Sequence, residues 1–204
     1  NWCITADKMF GIGSKKISTE SYKGVRDFYP QDKQVQNYIF RIMREVAESY
    51  GYVEYDASVL EPLELYKSKS SEEIVSEQIY SFEDRGGREV ALRPEMTPTV
   101  ARMVAGKLQD LPAPIRWYSI PNLFRYEKPQ RGRLREHWQL NIDIFGVPGF
   151  IAEVEVISLA FDIMKRFGAK PEDFRIKLNS RALLDDIFKK VGIPEDKTQF
   201  TYRL

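Results

Sequence analysis

The 204-residue chain contains one cysteine, Cys3, and one histidine, His137. A disulfide within the chain is therefore excluded, as is a zinc site built from cysteines or from several histidines. A lone thiol suits a reducing compartment, and the expected location is the cytoplasm. No apolar run reaches the ~18 residues a membrane span needs. The N-terminus lacks the apolar stretch of a signal peptide. Neither sign of charge dominates. With 31 basic and 30 acidic residues the formal net charge is +1, without the excess that announces a nucleic-acid or membrane binder. GxGxxG and P-loop motifs are both absent, so a nucleotide, if bound, is held by another device.

The 43% hydrophobic and 13% aromatic content is enough for one good-sized domain and part of a second. The chain opens on Asn1, and Met9 is a candidate native start. Residues 1–8 then read as an upstream or non-native remnant, with a partial fragment as the alternative. Residues 1–20 show no sustained period and read as a flexible lead-in, with residues 21–204 as one partial domain.

After the loop Gly24–Pro30, apolar residues from Val35 to Tyr50 recur at i, i+3, i+4 and i+7, one stripe of a helix. Pro30 and Asp32 suit its first turn and Gly51 its end. Tyr52–Leu60 reads as a strand broken at Glu61-Pro62, where the missing N–H places Pro62 at an edge, bulge or interface. Leu63–Glu77 reads as a short helix and a mobile segment. Ile79–Phe82 and Glu89–Leu92 form a hairpin around Asp84-Arg85-Gly86-Gly87. Thr97 and Pro98 resemble the N-cap and N1 of a helix running to about Leu108. Strands are expected at Ile115–Ile120, Asn122–Tyr126, Glu136–Phe145 and Phe174–Leu178, and helices at Ile151–Phe167 and Arg181–Val191. The apolar face Val154, Ile157, Phe161, Met164 is expected in the core or a dimer surface. Hairpins with interspersed helices give an α+β fold, an antiparallel sheet flanked by helices.

The chemistry concentrates in Phe124–Gly146, FRYEKPQRGRLREHWQLNIDIFG. Its last ten strand residues alternate, with His137, Gln139, Asn141 and Asp143 on one expected wet face and Trp138, Leu140, Ile142 and Ile144 on a buried one. If Lys128–Leu134 joins a hairpin, Arg125 lies beside this polar row. A ring, a guanidinium and a carboxylate in that order match a base, a phosphate and an ammonium. Arg125 and Glu127 alone also fit a plain cross-strand ion pair.

This stretch resembles motif 2 of the class II aminoacyl-tRNA synthetases, in the form found in the histidyl-tRNA synthetase family. GVRDFYP, the long helix and LEPLELY resemble its motif 1, and IYSFEDRGGREVALRPEMTPTVAR its next segment. The resemblance runs over roughly Lys23 to Gly192. It implies ATP with Mg2+ as substrate, histidine, the acceptor end of tRNA(His), and a homodimer formed through motif 1 near Pro62. Arg125 would bind the α-phosphate as the catalytic residue. Glu127 would accept from the adenine amino group, Arg133 would reach the outer phosphates, and His137 would stack on adenine, where the family typically has Phe. Glu95, Thr97, Gln139 and Asp143 would hold histidine, with Asp143, where Glu is usual, on the ammonium. Arg131 and Arg133 form the loop that would meet tRNA. Motif 3, the histidine-binding loop and the anticodon-binding domain do not occur, so a truncated catalytic domain with at best weak ATP binding is expected. The alternative is a non-catalytic paralogue serving as a regulatory subunit in histidine biosynthesis. A class II relative for proline or threonine is disfavoured by KPQRGRLREH.

Overall fold

In a computed structural model of the chain, residues 18–67 and 78–192 are described. The lead-in up to residue 17, most of the segment expected to be mobile, and the last twelve residues lie outside them. The chain divides into two compact units, Asn1–Leu159 and Ala160–Leu204.

The first unit begins with helix α1, Pro30–Ser49. Pro30 presets its first φ, and Asp32 sits at the positive end of the helix dipole. Its end is closed by two reverse bonds, Gly51 N–H to the Glu48 carbonyl (2.9 Å) and Tyr52 N–H to that of Ala47 (3.2 Å). This closure needs a left-handed residue, and Gly51 supplies it at φ +81°. Ile42, Val46 and Ala47 are buried, whereas Val35 and Tyr38 at the start of the apolar stripe stand exposed.

Strand β1 is Val53–Glu54 and β2 is Leu60–Pro62, followed by the short helix α2, Leu63–Lys67. The expected single strand over Tyr52–Leu60 is thus two, and pairing runs through Pro62 to its partner Val90 instead of stopping before it. Pro62 is tolerated because it ends the strand. Strands β3, Tyr80–Glu83, and β4, Glu89–Leu92, form the anticipated hairpin, and β2 completes an antiparallel sheet in the order β2-β4-β3. Helix α3, Thr97–Ala105, starts one residue earlier than expected. Met96 is its N-cap and no side-chain cap is made, so Thr97 is the first helical residue.

Strands β5, Ile115–Ser119, and β6, Asn122–Phe124, precede β7, Glu136–Trp138, and β8, Asn141–Phe145. β5 lies between β8, antiparallel, and β1, parallel. β6 pairs with β7. The expected ten-residue strand Glu136–Phe145 is therefore interrupted at Gln139–Leu140. Its register is not. Ser119 faces Asn141 on one side of the break and Asn122 faces Trp138 on the other, as in one continuous ribbon. Pro121 explains the gap: it has no N–H to return, and only Gln139 N–H to the Pro121 carbonyl (3.4 Å) spans it.

The core packs Tyr55, Met96, Val100, Val104, Ile115 and Leu123 together. Tyr118 is fully buried and donates to Glu48 on α1 (2.8 Å). Arg116 grips Glu155 of helix α4, Ile151–Arg166, through two bonds of 2.8 and 2.9 Å. Leu159 is the buried residue of α4, while Val154, Phe161 and Met164 of the expected apolar face are substantially exposed.

Within the second unit the Phe161 and Phe174 rings meet at 5.4 Å. Residues 174–180 form no strand, contrary to expectation. Helix α5, Arg181–Val191, follows.

One buried cation ties these pieces together. Arg93, just after β4, is 2% exposed. Its guanidinium donates to Asp56 Oδ1 (3.0 Å), to the Ala57 carbonyl (2.7 Å), and to both the carbonyl and side-chain oxygen of Asn122 (2.9 and 3.1 Å). Its main chain bonds Val59 on one side and Phe124 on the other. Losing this fork strands several polar groups at once. Arg93→Ala is expected to cost about 3 kcal/mol in urea unfolding, and Arg93→Lys to recover only part, because an ammonium cannot reproduce the planar fork.

Candidate functional site

The β6–β7 ribbon opens into a cleft at its turn end. The cleft has a volume of about 190 Å³ and is lined by Arg125, Glu127, Gly132, Arg133, Leu134 and His137. Four residues singled out in the sequence as nucleotide ligands therefore converge in space. His137 stands in β7 opposite Leu123, which is fully buried. Arg125 follows the last residue of β6. Its main-chain N–H donates to the Arg135 carbonyl (2.8 Å), so it still belongs to the ribbon.

The Arg125 side chain is aimed by one bond. Its Nε donates to the Pro94 carbonyl (3.0 Å), and among the described residues neither terminal nitrogen has a protein partner. An anchored guanidinium with a free outer edge is suited to an anionic oxygen pair. Glu127 turns back toward the cleft through a three-residue turn, its N–H donating to the Arg125 carbonyl (2.8 Å). Its carboxylate pairs with Arg133: Nη2 donates at 3.1 Å, and Nε contacts the other oxygen. The cross-strand pair conceived between Arg125 and Glu127 is thus not formed, and Arg133 takes the acid. Arg131 is exposed at the turn.

Burial, followed by the nearby Arg125 charge, pushes the His137 pKa below the ordinary imidazole value, against a smaller opposing pull from Glu127. At neutral pH the ring is uncharged, the form that stacks on a base without carrying a cation into the cleft.

The amino-acid half of the expected row is placed separately. Gln139 lies at the Pro121 break, and its amide donates to Asn141 (3.2 Å). Asp143 is on β8 opposite Trp117 and accepts from the Tyr55 hydroxyl (3.0 Å). Burial raises its pKa, and the Tyr55 bond offsets this only in part. Both faces of the ribbon are partly covered, so the expected contrast of one wet and one buried face is absent. Ser119 and Leu123, opposite the polar row, are themselves buried. Glu95 lies between β4 and α3, Thr97 is the first residue of α3, and both follow closely in the chain on Pro94, whose carbonyl holds Arg125. Pro62 is exposed and borders a separate hollow with Leu60, Glu64 and Arg88.

Several site residues carried no sequence signal. Tyr55 was one strand residue among many, and its contact with Asp143 spans 88 positions. Pro94 acts through its carbonyl, which no motif marks. Among the described residues no group of three or more His, Cys, Asp or Glu side chains could hold a metal ion. Among the described residues Glu127 is the one acid lining the cleft. That sparse set fits Mg2+ arriving with a nucleotide, since this ion is mostly ligated by phosphates and water. Among the described residues no helix is long and apolar enough to cross a membrane.

A model of the histidyl-tRNA synthetase family matches residues 24–204. A histidine–tRNA ligase of Leptospira biflexa is 60% identical over 172 residues, covering 84% of this chain and 39% of that protein. The crystal structure of histidyl-tRNA synthetase from Nostoc sp. PCC 7120 superimposes with a TM-score of 0.75 at 25% identity, over 89% of this chain and 42% of that one. An ATP phosphoribosyltransferase regulatory subunit/histidyl-tRNA synthetase from Bacillus halodurans C gives 0.68 at 30% identity, over 78% and 40%. The chain thus spans about two fifths of the length of these relatives. With the motif 1 and motif 2 stretches in order and folded as an α+β class II catalytic region, the chain belongs to the histidyl-tRNA synthetase family.

Proposed function

We propose that this chain is the nucleotide-binding front of a histidine–tRNA ligase, which activates histidine with ATP and transfers it to tRNA(His). The observation that carries the reading is the cleft at the ribbon end, where an anchored Arg125 with a free edge meets His137, Glu127 and Arg133. Arg125 binds the α-phosphate oxygens and stabilises the charge that develops as the histidine carboxylate attacks the α-phosphorus and the α–β phosphoanhydride bond breaks, releasing pyrophosphate. Such displacement needs positioning and electrostatic stabilisation more than covalent help from the protein. His137, neutral in its half-buried seat, stacks on adenine. Glu127 accepts from the adenine amino group once Arg133 leaves it for the outer phosphates. Mg2+ comes with the nucleotide and shields its phosphate charge. Arg131 and Arg133 face the tRNA acceptor end.

Asp143 takes the histidine ammonium, with Gln139, Glu95 and Thr97 completing that side. A half-buried carboxylate held by one tyrosine hydroxyl is poorly compensated without a cation, and the ammonium supplies one. The protein works in the cytoplasm as a homodimer, with the exposed stretch at Pro62 in the interface. The regulatory-subunit reading has no use for Arg131 and Arg133 in the turn, and their presence favours the ligase.

Two measurements test this. In ATP–pyrophosphate exchange by the full-length protein, Arg125→Ala is expected to reduce kcat/KM by roughly 100- to 1,000-fold, the usual loss of one charge-stabilising donor; unchanged exchange would sink the assignment. For Asp143 the sign follows from its raised pKa. The folded state holds the ionised form at a cost that is present above its pKa and absent once the group is protonated. Asp143→Asn keeps an acceptor for Tyr55 and removes the charge. Its Tm should exceed that of the parent at about pH 7, the gap closing as pH falls through the carboxylate range near pH 4. Histidine binding should be lost at the same time.

A further inference from the structure

The ribbon that carries the cleft is pried open at one pair of residues. Arg125 and Arg135 continue the β6–β7 register, and Arg125 N–H donates to the Arg135 carbonyl (2.8 Å). The reciprocal bond of an antiparallel pair is not made. Instead Arg135 N–H donates to the Gly24 carbonyl (2.6 Å), in the loop before α1. The Arg125 carbonyl, released, accepts from Glu127 N–H in the turn that brings Glu127 into the cleft.

The Arg135 side chain holds that turn from behind. Its Nε donates to the Glu127 carbonyl (3.0 Å), and its guanidinium carbon lies 4.0 Å from the Tyr126 ring centroid. Nη1 donates to the Tyr22 hydroxyl (3.2 Å). Residues 125, 126 and 127 thus each contact Arg135, which is 7% exposed and lies outside the cleft lining. Among the described residues no carboxylate pairs with it. The cation is held by aromatic faces, a hydroxyl and a carbonyl, an arrangement that depends on the loop staying in place.

Gly24 makes the close approach feasible. A Cβ there would come within 2.7 Å of Arg135 Cγ and 2.9 Å of Pro129 Cγ, and the residue has φ +86°. Any other residue would push out the stem of Arg135.

We infer that Arg135 is a positioning residue, through which the loop Tyr22–Gly24 sets the geometry of Arg125 and Glu127 toward the nucleotide. This rests on the reading of the cleft as the ATP site. Arg135 does not touch substrate; it acts through the two residues that do.

The test is ATP–pyrophosphate exchange by the full-length protein, with kcat and KM determined separately for ATP and histidine. Arg135→Met keeps the apolar stem and removes the fork. It is expected to lower kcat/KM for ATP by roughly 10- to 100-fold, the cost of a misplaced catalytic group, with KM for histidine little changed. Arg135→Lys, retaining a cation over Tyr126, restores part of the loss. Tyr22→Phe removes only a hydroxyl from a surface ring, keeps Tm, and shifts the ATP parameter in the same direction; it carries the test if Arg135→Met does not fold. Arg125→Ala separates the two claims. If Arg125→Ala abolishes exchange while Arg135→Met and Tyr22→Phe behave as the parent, the positioning role is wrong and the ATP site stands. If Arg125→Ala retains exchange, both fall. Losses for ATP and histidine that run in parallel and track Tm would make Arg135 a stability residue only and overturn the inference.

Discussion

The buried guanidinium of Arg93 is the contact on which the arrangement of the first unit depends. It reaches the β1–β2 connection at Asp56 and Ala57, and β6 at Asn122. Burying a cation is costly unless its donors are satisfied, and here they meet one carboxylate and several neutral oxygens. The next residue along, Pro94, then presents its carbonyl to Arg125. Two consecutive residues therefore connect the packing of the sheet to the aim of the cleft. Asn122 extends the chain of contacts by donating to Glu136 (3.1 Å), which fixes β6 against β7 beneath the same site.

A single proline divides the long ribbon into regions with different tasks. On the turn side of Pro121 the ribbon carries His137 and the Arg125–Glu127 turn. On the other side it is woven between β1 and α4 and carries Asp143. Because register is conserved across the break, the residues remain in sequence-determined order although the hydrogen-bonded ladder is discontinuous.

The site's electrostatics are only partly settled within the protein. Glu127 and Arg133 pair with one another, Arg125 keeps an edge unused among the described residues, and Asp143 is half-buried with a raised pKa. Incompletely compensated charges of this kind cost stability and cluster where a ligand supplies the missing partner. The Arg116–Glu155 pair behaves differently: mutual hydrogen bonds hold the Glu155 pKa down, and the pair serves to fasten α4 to β5.

Periodicity and turn chemistry already marked α1, the β3–β4 hairpin, the ribbon and α5, because these features depend on residues close in the chain. The order of the polar row from His137 to Asp143 was legible for the same reason: a strand's period of two lines it up without outside help. Which face was covered could not be read. The apolar stripes at Val35–Tyr38 and Val154–Met164 were expected in the core or a dimer surface; in the single chain they stand partly exposed, outside its own core, since burial is a property of the neighbours and not of the helix. The partner of Glu127, the tyrosine beneath Asp143, the carbonyl that aims Arg125 and the roles of Arg93 and Arg135 were all invisible beforehand. Each contact is set by how separate segments close on one another, from the short turn that joins Arg133 to Glu127 to the 88 positions between Tyr55 and Asp143. Sequence specified the chemical groups and their order along each strand; the meeting of distant strands selected which groups are neutralised, which are buried and which are left open to a ligand.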